Sequence, residues 1–167
     1  MRARAFSPVR REPMKTRTAQ IKDAENIARL VNDAFRPERF FIDGDRTNPE
    51  KVRALMKEGK FLLAEEVGAL TGCVYVEVRE ERGYFGLLAV QPKQQHSGLG
   101  SALIATAEEY CRAAGCRVMD LTIVNLRAEL PGFYQRLGYV ESGTLPFPSN
   151  QQPNQLCHLI KMSKPLA

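Results

Sequence analysis

The sequence predicts a mixed α/β domain built on a mostly antiparallel sheet of six to seven strands, with about four helices against it. Three observations carry that expectation. Three strand-like runs follow one another across short turns in the middle of the chain, a strand–helix–strand unit comes directly after them, and two helical stretches precede them. Strands joined by tight turns pair antiparallel, whereas a strand, a helix and a second strand in one sheet return parallel through a right-handed crossover.

Taken in order, Thr16 to Lys22 reads as a short first strand. Asp23 follows as a helix cap, and Ile27, Leu30, Val31, Ala34 and Phe35 repeat at the spacing of one buried helix face. The stretch Arg36 to Thr47 has no period and mixes aromatics with charges, so it reads as a loop. Asn48 then has the chemistry of an N-cap with Pro49 at the first helical position, and Gly59 stands where that second helix ends. The three consecutive strands are Lys60 to Glu66, Ala69 to Arg79 and Gly83 to Val90, separated by Val67-Gly68 and by Glu80 to Arg82. A helix over Gly98 to Ala114 presents Leu99, Leu103, Ala107, Tyr110 and Cys111 on one face and stops at Gly115, and Arg117 to Val124 is the strand that closes the crossover. A short helix near Pro131 to Leu137 ends at Gly138, and Tyr139 to Thr144 and Leu156 to Met162 supply the last two strands across a polar loop.

Composition narrows the function classes. At 167 residues and 44% hydrophobic, the chain suits one domain over residues 15–167 behind a basic tail, 1–14, that reads as disordered, with Met14 as a second candidate start. The formal charge of +5 sits in residues 1–17, where six basic side chains face one acidic one; the rest of the chain carries 18 of each. A neutral body disfavours a nucleic-acid partner, although the tail could serve as an anion-binding arm. No apolar run is long enough for a membrane span and no secretory leader is evident, so the expectation is a cytoplasmic protein, monomer or homodimer, without a membrane partner. Four cysteines without a CxxC pair, and only two histidines, argue against a zinc site; no metal is expected.

The informative stretch is Leu88-Ala89-Val90 followed by Gln95-His96-Ser97-Gly98-Leu99-Gly100-Ser101, where a strand gives way to a helix. Backbone N–H groups at a helix N-terminus lack partners and attract anions, and Gly98 and Gly100 let phosphate oxygens approach the backbone. A nucleotide-triphosphate loop would need Lys and Ser/Thr after the last glycine, where Ser101 and Ala102 stand, and a dinucleotide fingerprint would need a glycine at Leu103. Both fail on residues.

With a strand ending in Leu88-Ala89-Val90 and Gln95-x-x-Gly98-x-Gly100 directly after it, the chain resembles the GNAT superfamily of acetyl-CoA-dependent N-acetyltransferases. The resemblance extends to Asn125 and to Phe133-Tyr134-Gln135-Arg136-Leu137-Gly138-Tyr139 and spans about residues 16 to 163. It implies a sheet splayed at its middle, with the pantetheine arm of acetyl-CoA pairing against Leu88 to Val90, the diphosphate bound by Gln95 to Ser101, and Asn125 touching the arm or ordering the splay. For Asn125 a plain strand-end turn residue is the alternative. Tyr134 resembles the tyrosine that gives a proton to the departing thiolate; core packing beside Phe133 and Leu137 is its alternative. One departure is the spacing of Asn125 and Tyr134, nine residues where the family often has seven.

A base should neutralise the attacking amine, and no residue stands out: the strand before Val90 holds no carboxylate, which leaves Glu77 and Asp120 as candidates. For the acceptor, a small-molecule or peptide amine, the flanking loops offer Phe40, Phe41, Asp43 and Arg46 on one side and Phe147 on the other. The competing expectation is a non-catalytic acyl-CoA-binding or sensing module with the same phosphate cradle.

Overall fold

The computed structural model describes residues 15–166. The strands are β1 (Lys15–Thr18), β2 (Lys60–Glu66), β3 (Ala69–Arg79), β4 (Arg82–Val90), β5 (Val118–Val124), β6 (Val140–Pro146) and β7 (His158–Pro165). The helices are α1 (Ala24–Ala34), α2 (Pro49–Glu58), α3 (Leu99–Ala113) and α4 (Leu130–Arg136). All seven strands form one sheet in the order β1-β2-β3-β4-β5-β7-β6, and β4 with β5 is its parallel pair. The antiparallel run, the crossover and the four helices stand as expected. The basic tail, residues 1–14, lies outside the described residues.

Local differences have local causes. The first strand ends at Thr18 and a 3-10 turn over Ile21–Asp23 replaces its second half. Asp23 stands before α1 but does not cap that helix with its side chain. Its carboxylate instead accepts two hydrogen bonds of 2.8 Å from Arg17 and one of 2.7 Å from the Gln20 N–H. The segment read as a loop contains a 3-10 turn, Arg36–Phe40, entered through Pro37. Asn48 does cap α2, its Oδ1 accepting from the Lys51 N–H at 2.9 Å.

The period-2 alternation of the strands builds two cores, one on each face of the sheet. Phe61 and Leu63 of β2, with Cys73 and Tyr75 of β3, pack against Ile27, Val31 and Val52 of α1 and α2. Leu62 and Ala64, with Val74 and Val76, pack on the other face against Leu103, Ile104 and Ala107 of α3.

Two irregularities in β4 shape everything that follows. Its parallel pairing with β5 lasts for three residue pairs, Arg82 to Tyr84 against Val118 to Asp120, and beyond Tyr84 the two strands part. In addition, Cys73 lies opposite Ala89 and Tyr75 opposite Gly86, so Val74 alone faces both Leu87 and Leu88. This bulge carries Leu87 at φ 47°, a conformation uncommon outside glycine, and the Leu87 carbonyl accepts the Cys73 thiol at 3.7 Å.

Candidate functional site

Where β4 and β5 separate, the β5-facing edge of Phe85 to Val90 is without a strand partner, a row of backbone groups able to pair with an extended ligand. The chain then makes a 3-10 turn at Pro92–Gln94 and enters α3 through Gly98 at φ 86°, with His96 also at positive φ, 66°. The first intrahelical bond runs from the Ala102 N–H to the Gly98 carbonyl at 3.1 Å. The N–H groups of His96, Gly98, Leu99, Gly100 and Ser101 therefore have no acceptor among the described residues, and no side chain caps the helix. Such a cluster, reinforced by the positive end of a 15-residue helix, has the chemistry to attract an anion. A Cβ on Gly100 would make ordinary van der Waals contact with Val90 at 3.9 Å and Leu88 at 4.0 Å, so the start of α3 lies directly beside the end of β4.

A cavity of about 830 Å³ fills the gap. Leu88 and Val90 line one side of it, and Gln95, His96, Gly98, Gly100 and Ser101 line one end. Ala89 points away into the core under α1, Leu99 is buried against α3's own core, and Ser97 turns its hydroxyl back to the Gln94 carbonyl. These three contribute backbone only.

Tyr134, on α4, closes the deep side. It is buried, its ring lies 6.1 Å from those of Phe85 and Tyr139, and its hydroxyl makes no hydrogen bond among the described residues. Burial pushes its pKa up to about 12, so the phenol holds its proton at neutral pH. The two additional residues between Asn125 and Tyr134 are taken up in turns, with the Arg127 N–H bonded to the Val124 carbonyl and the Leu130 N–H to that of Arg127.

The other expected residues fall in several places. Asp120 and Glu77 do not line the cavity. Asp120 accepts two hydrogen bonds of 2.7 Å from Arg82 and one of 2.6 Å from Ser163; burial pushes its carboxyl up, but these bonds prevail and hold it below the usual carboxylate range. Glu77 is paired with Arg79 at 2.7 Å. Both carboxylates are already engaged, a poor state for a base. Asn125 exchanges hydrogen bonds with His158, its N–H donating at 3.0 Å and its Oδ1 accepting at 2.9 Å, so it finishes the β5–β7 ladder rather than facing the gap. Of the acceptor-side residues, Phe41, Arg46 and Phe147 line the cavity; Phe40 is largely exposed, and Asp43 borders a smaller side cavity of about 260 Å³.

Sequence reasoning missed Glu38 and Arg127, which both border the main cavity. Glu38 lay in a segment with no period to orient it, and Arg127 in the unusual spacer before α4. The available signal for Glu38 was a carboxylate within an aromatic-rich run, Phe35 to Phe41, which favours burial.

A model of the acetyltransferase (GNAT) family matches residues 24–139. Mycothiol acetyltransferase of Amycolatopsis mediterranei is 28% identical over 149 residues, covering 82% of this chain and 50% of that protein. Acetyltransferase YE1169 of Yersinia enterocolitica is 31% identical over 85 residues, covering 51% of this chain and 60% of that protein. The chain thus spans about half the length of the curated relatives it matches. Among solved structures, that of yncA from Salmonella typhimurium with its cofactor acetyl-CoA superposes with a TM-score of 0.71 at 21% identity, covering 93% of this chain and 95% of the other. None of the helices among the described residues is long and apolar enough to cross a membrane.

Proposed function

Because the chain belongs to the acetyltransferase (GNAT) family, we propose that it transfers an acetyl group from acetyl-CoA to a primary amine of a small molecule or peptide, by direct attack in a ternary complex. The observation that carries this reading is the row of acceptor-free amides at His96, Gly98, Leu99, Gly100 and Ser101, set at the end of a strand whose edge is open from Phe85 to Val90. The fit to acetyl-CoA is one of length and chemistry: an anion cradle at one end, an unpaired strand edge along the middle, and a cavity of about 830 Å³ that ends at a buried phenol.

Acetyl-CoA supplies an acetyl group activated as a thioester. The five amides would hold its diphosphate, and the backbone of Leu88 and Val90 would pair with its amide-bearing arm. Tyr134, which burial keeps protonated at neutral pH, is the group that would give its proton to the departing sulfur. The apolar walls of Phe85, Leu121 and Phe133 keep bulk water from the reacting carbon. A non-catalytic binding module would have no use for a cavity-lining phenol held without a partner.

The test is calorimetry with acetyl-CoA followed by thiol release across a panel of primary amines. Micromolar or tighter binding with amine-dependent thiol release is expected. Binding without release on any amine would leave only the binding module.

A further inference from the structure

Gly86 carries no side chain, and the space that one would take is filled by Tyr84. A Cβ built on Gly86 would lie 2.8 Å from the Tyr84 hydroxyl oxygen and 3.3 Å from Cε1 and Cζ of its ring. Residues two apart on a strand share a face, so the Tyr84 ring leans forward along β4 and ends over Gly86. Both residues line the main cavity. Tyr84 is only partly buried against the core under α1, which leaves its outer ring edge to the cavity.

The ring is also held. The Arg79 guanidinium stacks over it at 4.5 Å, and Arg79 is fixed in turn by its 2.7 Å hydrogen bond to Glu77, the residue opposite Tyr84 in the β3–β4 register. Tyr134 stands nearby. Its pKa is raised chiefly by burial and, against the pull of Arg127, by Tyr84 as well, so the two phenols lie within electrostatic reach of each other.

The amides of the cradle lie past the C-terminal end of β4, and the open edge runs back from Val90 to Phe85. The gap closes at Tyr84, the last residue of β4 still paired with β5. An acyl donor with its diphosphate in the cradle and its arm along Val90 and Leu88 would therefore carry its acyl end toward Gly86, with Tyr84 ahead of it. We propose that Tyr84 is the stop that limits the donor's acyl group to two carbons, with Gly86 leaving room for the ring and Arg79 holding it in place. The proposal rests on the transferase reading above. Each methylene beyond acetyl would have to displace a clamped ring, and a packed site discriminates by about 10-fold or more per methylene.

The experiment uses the full chain, Tyr84→Leu and Arg79→Ala. It measures Tm, calorimetric affinity for acetyl-, propionyl- and butyryl-CoA, and thiol release from each with a primary amine that the unaltered protein accepts. The unaltered protein should bind butyryl-CoA at least about 10-fold more weakly than acetyl-CoA and turn it over about 100-fold less efficiently in kcat/KM. Tyr84→Leu keeps an apolar side chain under α1 but lacks the outer ring and hydroxyl, so both ratios should shrink to about 3-fold or less. Arg79→Ala should move them part of the way. Equal affinity of the unaltered protein for acetyl- and butyryl-CoA overturns the stop, as do unchanged ratios in a Tyr84→Leu protein of near-native Tm. Should Tyr84→Leu unfold, Arg79→Ala decides, since that side chain is 59% exposed; unmoved ratios in it overturn the proposal. Each of these results leaves the transferase reading intact, whereas an unaltered protein that binds none of the three donors overturns both.

Discussion

The two ends of the β4–β5 junction invite comparison. At the zipped end, Arg82 to Tyr84 run beside Val118 to Asp120, and the carboxylate there, Asp120, is held by Arg82 and Ser163. At the open end the strands have parted, and the Tyr134 phenol that lines the gap has no hydrogen-bond partner among the described residues, while Arg127 and Glu129, which also line it, are paired at 2.6 Å. The pKa directions divide the same way, Asp120 below its ordinary range and Tyr134 above its own. Partnering separates these two groups: Asp120 is tied into the sheet, and the Tyr134 hydroxyl is left to the cavity.

The contrast can be broken most sharply at the cradle. Gly98→Asp places a carboxylate where a diphosphate would sit; two like charges about 4 Å apart at an effective dielectric of 20 repel by about 4 kcal/mol, so calorimetry should give an acetyl-CoA affinity lower by roughly a thousandfold, while Tm falls modestly because position 98 sits at φ 86°, where a side chain is strained. Unchanged affinity would show that the free amides are not the anion site. Next in size is Tyr134→Phe. Ring packing against Phe85 and Tyr139 survives, so acetyl-CoA affinity and Tm should stay, whereas kcat should fall by about 100-fold if the proton matters to the rate-limiting step. Full kcat with a lowered Tm would make Tyr134 a packing residue.

At the zipped end the sign of the effect reverses. Asp120→Ala should cost about 2 kcal/mol in denaturant unfolding, because Arg82 and Ser163 lose their acceptor, and should leave acetyl-CoA affinity alone. The same pairing sets a pH dependence. A carboxyl held below its unfolded value contributes stability that is present above that value and lost as pH falls through the folded one. Asp23, lowered to about 2 chiefly by Arg17, behaves alike, so acid titration of unfolding should lose stability below about pH 4, with the Asp120 share missing in Asp120→Ala. The smallest effect is expected for a chain beginning at Met14. Because the cradle and cavity residues all lie beyond it, acetyl-CoA affinity and Tm should match the full chain; a weaker affinity would bring the tail into the site.

Much of this was legible in the sequence because it depends on neighbours in the chain. Helix faces, the Asn48 cap, the glycines before α3 and the short turns between β2, β3 and β4 are local chemistry, and a linear pattern records them. What failed was the pairing of one side chain with another, near or far along the chain. Asp120 and Glu77 looked like possible bases because their partners, Arg82 with Ser163 and Arg79, are decided by sheet register or by which side chains turn toward each other. Asn125 had two readings for the same reason: its hydrogen bonds go to His158, 33 residues away. Asp23 sat at a cap position, yet Arg17 on the neighbouring strand captured it. Glu38 could be placed only once the fold showed that it borders both cavities.

The bulge at Leu87 and Leu88 constrains how this strand can change. Up to Gly86 the even-numbered residues of β4 face α1, as Tyr84 does, and Phe85 faces the opposite core; past the bulge Leu87 and Ala89 face α1, while Leu88 and Val90 face the other way. The extra residue is a phase shift that puts Leu88 and Val90 on the face opposite α1, while Leu87 beside it also lines the cavity. Exchanging Leu88 for another aliphatic leaves the phase untouched. Deleting Leu87 would flatten the strand but leave Leu88 and Val90 on their present face and Ala89 under α1, so what is lost is the kink and the Leu87 carbonyl that accepts the Cys73 thiol. The bulge therefore acts through the local bend it puts in the strand beside the gap, a feature that a regular strand of either length would lack.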